Sequence, residues 1–451
     1  MTVSRALMFT LFLLSLAPAA VAEGYLLEAA EGQEPTQVTV KLQVGGDSIV
    51  PAMDADGPTG TEKVTPMSVQ GNFEYQEQVL GRGEQARSVR VYQRADAILK
   101  IEEKSSEQGF ERVLPEDMCE VVCDLHEGRG RFLCPDGSLT RSQVDLLDVL
   151  GNTLVLDRLL PNREVAEGES WEHDPQAITA IFGLDNAGVC EVNSMVVGEE
   201  NNQVQIRMSG TVHGGVDGAS LEMEIKGAYL FHLKQGRITK MNLVVKEKRK
   251  ASVVTPGLDI TAKLNIVVGP ATSSLISEEM IAAAEKLQVE PRSRLFFNSP
   301  IRGFRFAHAG NWYVTKESRN LVTLRLLDDN TSIASCNVTT LPPRSAERET
   351  SLEQFQREVQ QSLGENVQEI AAANEWTSPN GHKCMAVFAN GKVKDIAVQW
   401  RYYLVSAPDV KRVSVAATVE QAKLDKFADA DRLIVDSMEL VGAAKEETAG
   451  K

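Results

Sequence analysis

The feature that most constrains this chain is a strict alternation of apolar and polar residues, repeated strand after strand between residues 203 and 266. Val204, Ile206 and Met208 alternate with Gln203, Gln205 and Arg207. Leu221, Met223, Ile225, Tyr229 and Phe231 alternate with Glu222, Glu224 and Lys226, and Leu258, Ile260, Ala262, Leu264 and Ile266 with Asp259, Thr261, Lys263 and Asn265. Between them Lys234, Gln235 and Gly236 turn the chain into a strand carrying Met241, Leu243 and Val245. A period of two puts one set of side chains on each face of a pleated strand. Consecutive strands of this kind with short turns predict an antiparallel meander, wet on one face and needing cover on the other. Near the start, Val38, Val40, Leu42 and Val44 repeat the pattern against Gln37, Thr39, Lys41 and Gln43. Met67, Val69, Phe73 and Tyr75, broken by Gly71, suggest a further strand, and Val89, Val91 and Tyr92 begin another. Residues 98 to 102 fit strand or helix equally, and Pro51 to Gly60 reads as a loop.

Residues 1 to 22 read as a secretory signal: Arg5, an apolar run from Ala6 to Leu16, and Ala20, Val21 and Ala22 as a small-residue cleavage site. The mature chain is therefore expected to start at Glu23, exported to the periplasm or beyond. No later run reaches the roughly 18 apolar residues needed to span a bilayer. The net charge of −16 becomes one unit more negative without Arg5. That balance argues against nucleic acid or an anionic membrane held by a general basic field. At roughly 100 to 200 residues per domain, 451 residues suggest two or three domains.

Capping signals place the helices. Thr140 with Gln143 forms a capping-box pattern heading a short helix through Leu150, ended by Gly151 and Asn152. Leu159 to Trp171 is dense in turn residues: Pro161 turns the chain, Gly168 allows a second turn, and Trp171 is the expected core anchor. Asp174 as N-cap, Pro175 at the first helical position and Gly183 past the end bracket another helix. Residues 269 to 302 read as a linker with a helix from Ser277 to Leu287. A second domain then has strands around Leu321 to Leu326, Ile333 to Val338, Cys384 to Phe388, Ile396 to Val405 and Val413 to Val419. Ser351 with Gln354 caps a helix carrying Leu352, Phe355, Val359 and Leu363 up to Gly364, and a closing helix carries Leu424, Phe427 and Ile434. The expected fold class is α+β, with an antiparallel β-rich domain over 23–268 and a second domain over 303–441, followed by a disordered tail at 442–451.

Export makes the six cysteines candidates for disulfides. Cys119 to Cys134 reads as a hairpin around Gly128 and Arg129, which sets Cys123 opposite Cys134 at a hydrogen-bonded pair, about 5.5 Å apart at Cα. Cys119 could then pair with Cys190, although four cysteines allow three connectivities. Cys336 and Cys384 suggest a third bridge, or a buried free pair. A zinc set of Cys119, Cys123, His126 and Cys134 matches no common structural spacing, so neither metal nor cofactor is expected.

Other candidate chemistry competes with plainer readings. Glu167, Glu169, Glu172 and Asp174 surround Trp171, and carboxylates beside an aromatic platform can serve glycan hydrolysis; the plainer reading is a solvated acidic turn. Cys384 lies two residues from His382, but no orienting third group or oxyanion donor is identifiable. GlyGluSerTrp lacks the nucleophile-elbow pattern, and no P-loop, dinucleotide fingerprint or HExxH occurs. Lys246 to Lys250 is the one compact basic run, either the exposed end of a strand or a polyanion contact. Trp400, Tyr402 and Tyr403 on one strand form a candidate interaction surface.

Residues 304 to 440 resemble the PsbP-like fold family, which includes DcrB-like and LpqN-like envelope proteins. The resemblance rests on GlyAsnTrpTyrVal at 310–314, the helix after ProPro, GlnTrpArgTyrTyrLeuVal at 399–405, and PheAlaAspAlaAspArgLeuIleValAspSer before Met438. It implies an α/β/α sandwich around an antiparallel sheet, in a family of assembly and interaction factors with no shared catalytic constellation. The first half is similar to a family of uncharacterised exported bacterial proteins, common in planctomycetes, marked by LeuLeuPro, a valine and GlyGluSerTrp. Its meander is also similar in outline to lipoprotein-carrier folds of the LolA type. The expectation is an exported, non-enzymatic envelope interaction or assembly factor. The alternatives are a carrier of an apolar ligand or lipid in the first sheet, and a glycan hydrolase using the acids around Trp171.

Overall fold

The computed structural model describes residues 24–30, 34–54, 57–103, 106–126, 128–299, 301–328, 331–343, 350–408 and 411–441. The expected signal and tail lie outside these residues. After β1 (Tyr25–Leu27) comes an outgoing run of strands: β2 (Thr36–Asp54), β3 (Gly57–Gly81), β4 (Arg87–Glu103), β5 (Ser106–Val113), β6 (Glu120–His126) and β7 (Arg129–Leu133). A middle segment holds helix α1 (Arg141–Leu147), a 3-10 turn (Thr153–Leu159), β8 (Arg163–Val165), β9 (Ser170–Glu172) and helix α2 (Pro175–Phe182). The returning run is β10 (Asn186–Glu200), β11 (Gln203–Val216), β12 (Ala219–His232), β13 (Arg237–Arg249) and β14 (Gly257–Pro270). They form a 12-stranded sheet in the order β7-β6-β4-β3-β2-β14-β13-β12-β11-β10-β9, with β5 on β4. The two runs join at one antiparallel seam, where Val40 faces Ile266 and Leu42 faces Leu264.

The apolar face of the alternation turns inward, and the middle segment covers it. Leu146, Leu147, Leu154, Leu156, Leu159, Ile178, Ile181 and Phe182 pack on Val38, Val40, Phe73, Ile206, Ile225, Met241 and Leu264 in one core. Each such side chain contributes roughly 1.5–3 kcal/mol when removed from water. The caps form as the spacing predicts. The Thr140 hydroxyl accepts from Gln143 N and the Gln143 side chain accepts from Thr140 N. Asp174 caps α2, whose end is set by Gly183 at φ +65°. Helix α1 stops at Leu147 instead of Leu150, because Asp148 already leaves helical geometry at ψ 66°.

Three local expectations change. Residues 98–102 belong to strand β4. Gly71 does not break β3; a Cβ there would meet the Phe73 ring at 2.9 Å, so its bareness makes room for that ring. Pro51 to Gly60 is not a free loop, since β2 and β3 continue pairing to Asp54 and Gly57 across an irregularity at Pro51. A proline is tolerated where the ladder needs no donor.

Beyond β14, helices α3 (Glu278–Lys286) and α4 (Val289–Arg292) lead to the second domain. Ser277 caps α3, and Ile276 and Ala284 pack on Val89, Val122 and Leu133 of the first sheet's outer side. The second domain comprises β15 (Leu295–Ser299), β16 (Phe304–His308), β17 (Trp312–Glu317), β18 (Leu321–Asp328), β19 (Thr331–Leu341), α5 (Leu352–Leu363), β20 (Val367–Thr377), β21 (Lys383–Val393), β22 (Ile396–Ser406), β23 (Arg412–Glu420), α6 (Leu424–Phe427), α7 (Arg432–Asp436) and β24 (Glu439–Leu440). Its seven-stranded antiparallel sheet runs β17-β18-β19-β23-β22-β21-β20. Helix α5 covers one face through Phe355, Val359 and Leu363. Phe427, Ile434 and Val435 of α6 and α7 cover the other, beside Phe297, Phe304 and Phe306 of a small sheet β15-β16-β24. The α+β class and the α/β/α layering are therefore present. The expected closing helix is two short ones, interrupted at Ala428, which adopts φ +43°.

Candidate functional site at the domain junction

Where the domains meet, charged side chains from several elements of the first domain converge on β17 of the second. Arg129, the first residue of β7, pairs with Asp185 and approaches Asp148 and Asp217 at 3.8 Å each. Asp185 Oδ2 accepts from the backbone N of Asp217 at 2.7 Å, which fixes the β11–β12 turn. Asp217 Oδ1 in turn accepts from the Tyr313 hydroxyl at 2.7 Å. The Arg141 guanidinium lies 4.4 Å from the Tyr313 ring centroid, and its Nη2 donates to the carbonyls of Gly310 and Trp312. A backbone bond from Phe296 N to Leu139 O, 2.9 Å, completes the seam.

The electrostatics of this cluster follow from crowding. Removal from water pushes the Asp148 carboxyl up to about 6, against the opposing pull of Arg129. Desolvation also raises Asp185. His308, at the end of β16, is held neutral to about 4 by burial and by the nearby Arg141 charge. Arg129, Asp148, Asp185, Asp217, Arg141 and Tyr313 were not legible as a set. The AspGly pair at 217–218 signals a hairpin turn, and TrpTyr at 312–313 belongs to the motif already noted, but no spacing links them.

The turns and core anchor of the Leu159 to Trp171 stretch take the expected positions. Asn162, next to Pro161, adopts φ +52°, and Gly168 adopts φ +80°. Trp171 is buried, and its indole Nε1 donates to Leu159 O at 3.0 Å. The indole is therefore no platform for a sugar. Glu169 is tied to Arg163 at 2.6 Å and accepts from Ala166 N, which holds its carboxyl below the usual range. Next to Trp171, His173 Nε2 meets the Ser194 hydroxyl at 2.7 Å, and burial holds its ring neutral to about 4.

The cysteine expectations are corrected. All six thiols are free. The ladder pairs His126 with Arg129 and Cys123 with Phe132, so the hairpin is centred one residue earlier than Gly128–Arg129 and Cys134 falls beyond β7. Gly128, at φ +83°, supplies the left-handed residue such a turn needs. Cys119 precedes β6 and Cys190 lies in β10, near opposite ends of the strand order. Cys336 in β19 and Cys384 in β21 are separated by β23 and β22; three strand spacings are about 14 Å, outside disulfide reach. Burial raises the Cys123 and Cys384 thiols to about 11. Cys384 Sγ points to the His382 carbonyl oxygen at 3.6 Å. Among the described residues no group of three or more His, Cys, Asp or Glu is placed to hold a metal ion.

The proposed Trp400, Tyr402 and Tyr403 surface is also corrected, because both faces of β22 are covered. Trp400 lies under α5, Tyr403 lies under α7 with its hydroxyl donating to Asp431 at 2.8 Å, and Tyr402 is partly exposed. The basic run ends β13, where Lys246 and Lys248 face Glu224 and Asp259 across the ladder at 3.5 and 3.8 Å. A cleft of about 590 Å³ opens there, lined by His213, Glu222, Lys248, Lys250 and Asp259. Inside the first sheet, the gap between Tyr75, Arg90, Phe132 and Asn152 measures about 10 Å³, barely the space of one water. Among the described residues no helix is long and apolar enough to cross a membrane.

No family model and no curated protein matches the chain. Among solved structures, part of the chain is similar to cyanobacterial PsbP from Synechocystis at 14% identity and a TM-score of 0.26, covering 33% of this chain and 92% of that one. A structure from Bacteroides thetaiotaomicron is similar at 12% identity and TM-score 0.25, over 34% of this chain and 48% of that one. Lipovitellin, in a structure titled for its lipid–protein interactions, is similar at 12% identity and TM-score 0.28, over 55% of this chain but 27% of its own length.

Proposed function

We propose that the protein is an exported, non-catalytic interaction or assembly factor of the cell envelope, with the second domain serving as a PsbP-like docking module. The observation that carries this reading is where the reactive side chains are spent. The Cys123 and Cys384 thiols are buried and raised, His173 and His308 are buried and neutral, and Trp171 is pinned inside the core. The converging charges at the junction hold one domain against the other. These thiols and imidazoles are withdrawn from solvent, whereas catalysis needs its nucleophile or base within reach of a substrate-sized space, and the charge cluster supports a rigid two-part surface. An interior carrier role would require α1, α2 and the 3-10 turn to leave the sheet whose core they complete.

The test is cross-linking and recovery of the tagged protein from its own envelope, with identification of co-purified proteins and lipids. The reading expects one or a few proteins cross-linked through the second domain in near-stoichiometric yield. Recovery of lipid alone, or glycan hydrolysis lost in Glu169→Ala, would replace it.

A further inference from the structure

We propose that the domain junction is a proton-operated latch: the Arg129, Asp148, Asp185 and Asp217 cluster of the first domain grips Tyr313 of the second, and protonation of Asp148 tightens the grip. This goes beyond a docking role and is independent of which partner docks.

The geometry sets the direction. Four carboxylates gather here: Asp145 and Asp148 on and just after α1, Asp185 before β10, and Asp217 in the β11–β12 turn. The facing cations are Arg129 from β7, Arg141 from the start of α1, and Arg112 of β5, which meets only Asp145, at 3.6 Å. Tyr313 and His308 face the cluster from the second domain. Carboxylates therefore outnumber guanidinium groups when all are ionised. Asp148 has the loosest contact, a single approach of 3.8 Å to Arg129, while Asp185 holds both Arg129 and the Asp217 backbone. Asp148 thus competes with Asp217 for the Arg129 field without touching the second domain.

When Asp148 takes up a proton, that competition ends and one like charge leaves the cluster. Arg129 then acts on Asp185 and Asp217 alone, and Asp217 is the acceptor of the Tyr313 hydroxyl. The Asp148 carboxyl is raised from 3.8 to about 6, so its contribution is complete at low pH and is lost as pH rises through about 6. A lower limit comes from His308, whose ring would gain a charge beside Arg141 near pH 4. The grip is tightest between about pH 4 and 6.

Hydrogen exchange of the full chain, corrected for the intrinsic pH dependence of exchange, reads the latch directly. Peptides covering residues 308–317 and 139–148 should gain roughly five-fold protection from pH 7.5 to pH 5.5, while peptides from β21 and β22 stay unchanged. Asp148→Asn should show the tight level at both values. Tyr313→Phe should lower protection of the same peptides at both, with β21 and β22 again serving as evidence of a folded second domain. A flat wild-type profile, or a step of full size retained in Asp148→Asn, would overturn the proposal.

Discussion

Each domain seals an arginine–carboxylate pair in its interior, and the two pairs are built differently. Arg90 and Glu77 face each other on neighbouring strands of the first sheet, with side chains only 3% and 4% exposed and Nε to Oε1 at 2.8 Å. Arg90 Nη2 donates onward to Asn152 Oδ1 and Thr153 Oγ1 in the covering 3-10 turn, and its guanidinium lies over the rings of Tyr75 and Phe132. In the second domain Arg401 Nε donates to Gln399 Oε1 of its own strand at 2.9 Å, and its Nη1 reaches Ala428 O at 2.7 Å and Asp431 Oδ1 at 3.3 Å between α6 and α7. Its guanidinium lies 4.9 Å from both the Phe388 and Phe427 rings. The first pair staples two strands and then their cover; the second ties sheet to cover only. A buried pair adds little net stability, but removing one partner strands the other charge.

The largest expected effect is therefore Arg90→Met, which leaves Glu77 buried beside Ser88 alone and should cost about 3–5 kcal/mol in the first domain, read from its denaturant midpoint. Arg401→Met should cost less in the second domain, because Asp431 keeps the Tyr403 hydroxyl. Equal losses would break the comparison. Next comes acid sensitivity. His173 and His308, each lowered by burial to about 4, contribute stability that is complete above pH 6.5 and lost as pH falls toward 4, up to about 3 kcal/mol each. His173→Gln should flatten that loss in the first domain and leave it in the second.

A smaller parallel concerns the tryptophans. Trp171 Nε1 donates to Leu159 O, whereas the second domain pins its cover with two indoles, Trp312 Nε1 donating to Ala430 O at 3.2 Å and Trp376 Nε1 to Asp436 Oδ1 at 2.9 Å. Trp312→Phe should cost about 1–2 kcal/mol by calorimetry, largely because the Ala430 carbonyl loses its indole donor; Trp171→Phe should cost less, since the Tyr229 hydroxyl also reaches Leu159 O, at 3.4 Å. The smallest effect is loss of a helix cap. Thr140→Ala should cost about 1 kcal/mol and should also loosen the junction, because Arg141 follows directly. Ser351→Ala should cost about as much with no effect on the junction.

Local patterning carried much of the fold and little of the site. Alternation identified β2 and β11 to β14, because one wet and one covered face impose a period of two. Caps at Thr140, Asp174 and Ser351 were readable because each satisfies an orphan N–H within three residues. A one-residue error in the turn at Gly128 was enough to misplace Cys134, since register propagates along a ladder. The alternation of Trp400 and Tyr403 read as a surface because sequence cannot show that helices cover both faces of β22. The junction cluster was invisible for a related reason: Arg129, Asp185, Asp217 and Tyr313 are brought together only by tertiary closure.

The seam between β2 and β14 sets the order of assembly. It pairs residue 40 with residue 266, while every other ladder of the large sheet except β4–β6 links strands that follow one another in the chain. At about 5–20 residues per second of synthesis, β2 exists for on the order of ten to forty seconds before its neighbour is made. During that interval the outgoing run carries an open strand edge above an apolar face, the condition under which edges find the wrong partner. Completion is one late, non-local zipping event, slow by topology, and a chain halted before Gly257 would retain that adhesive edge.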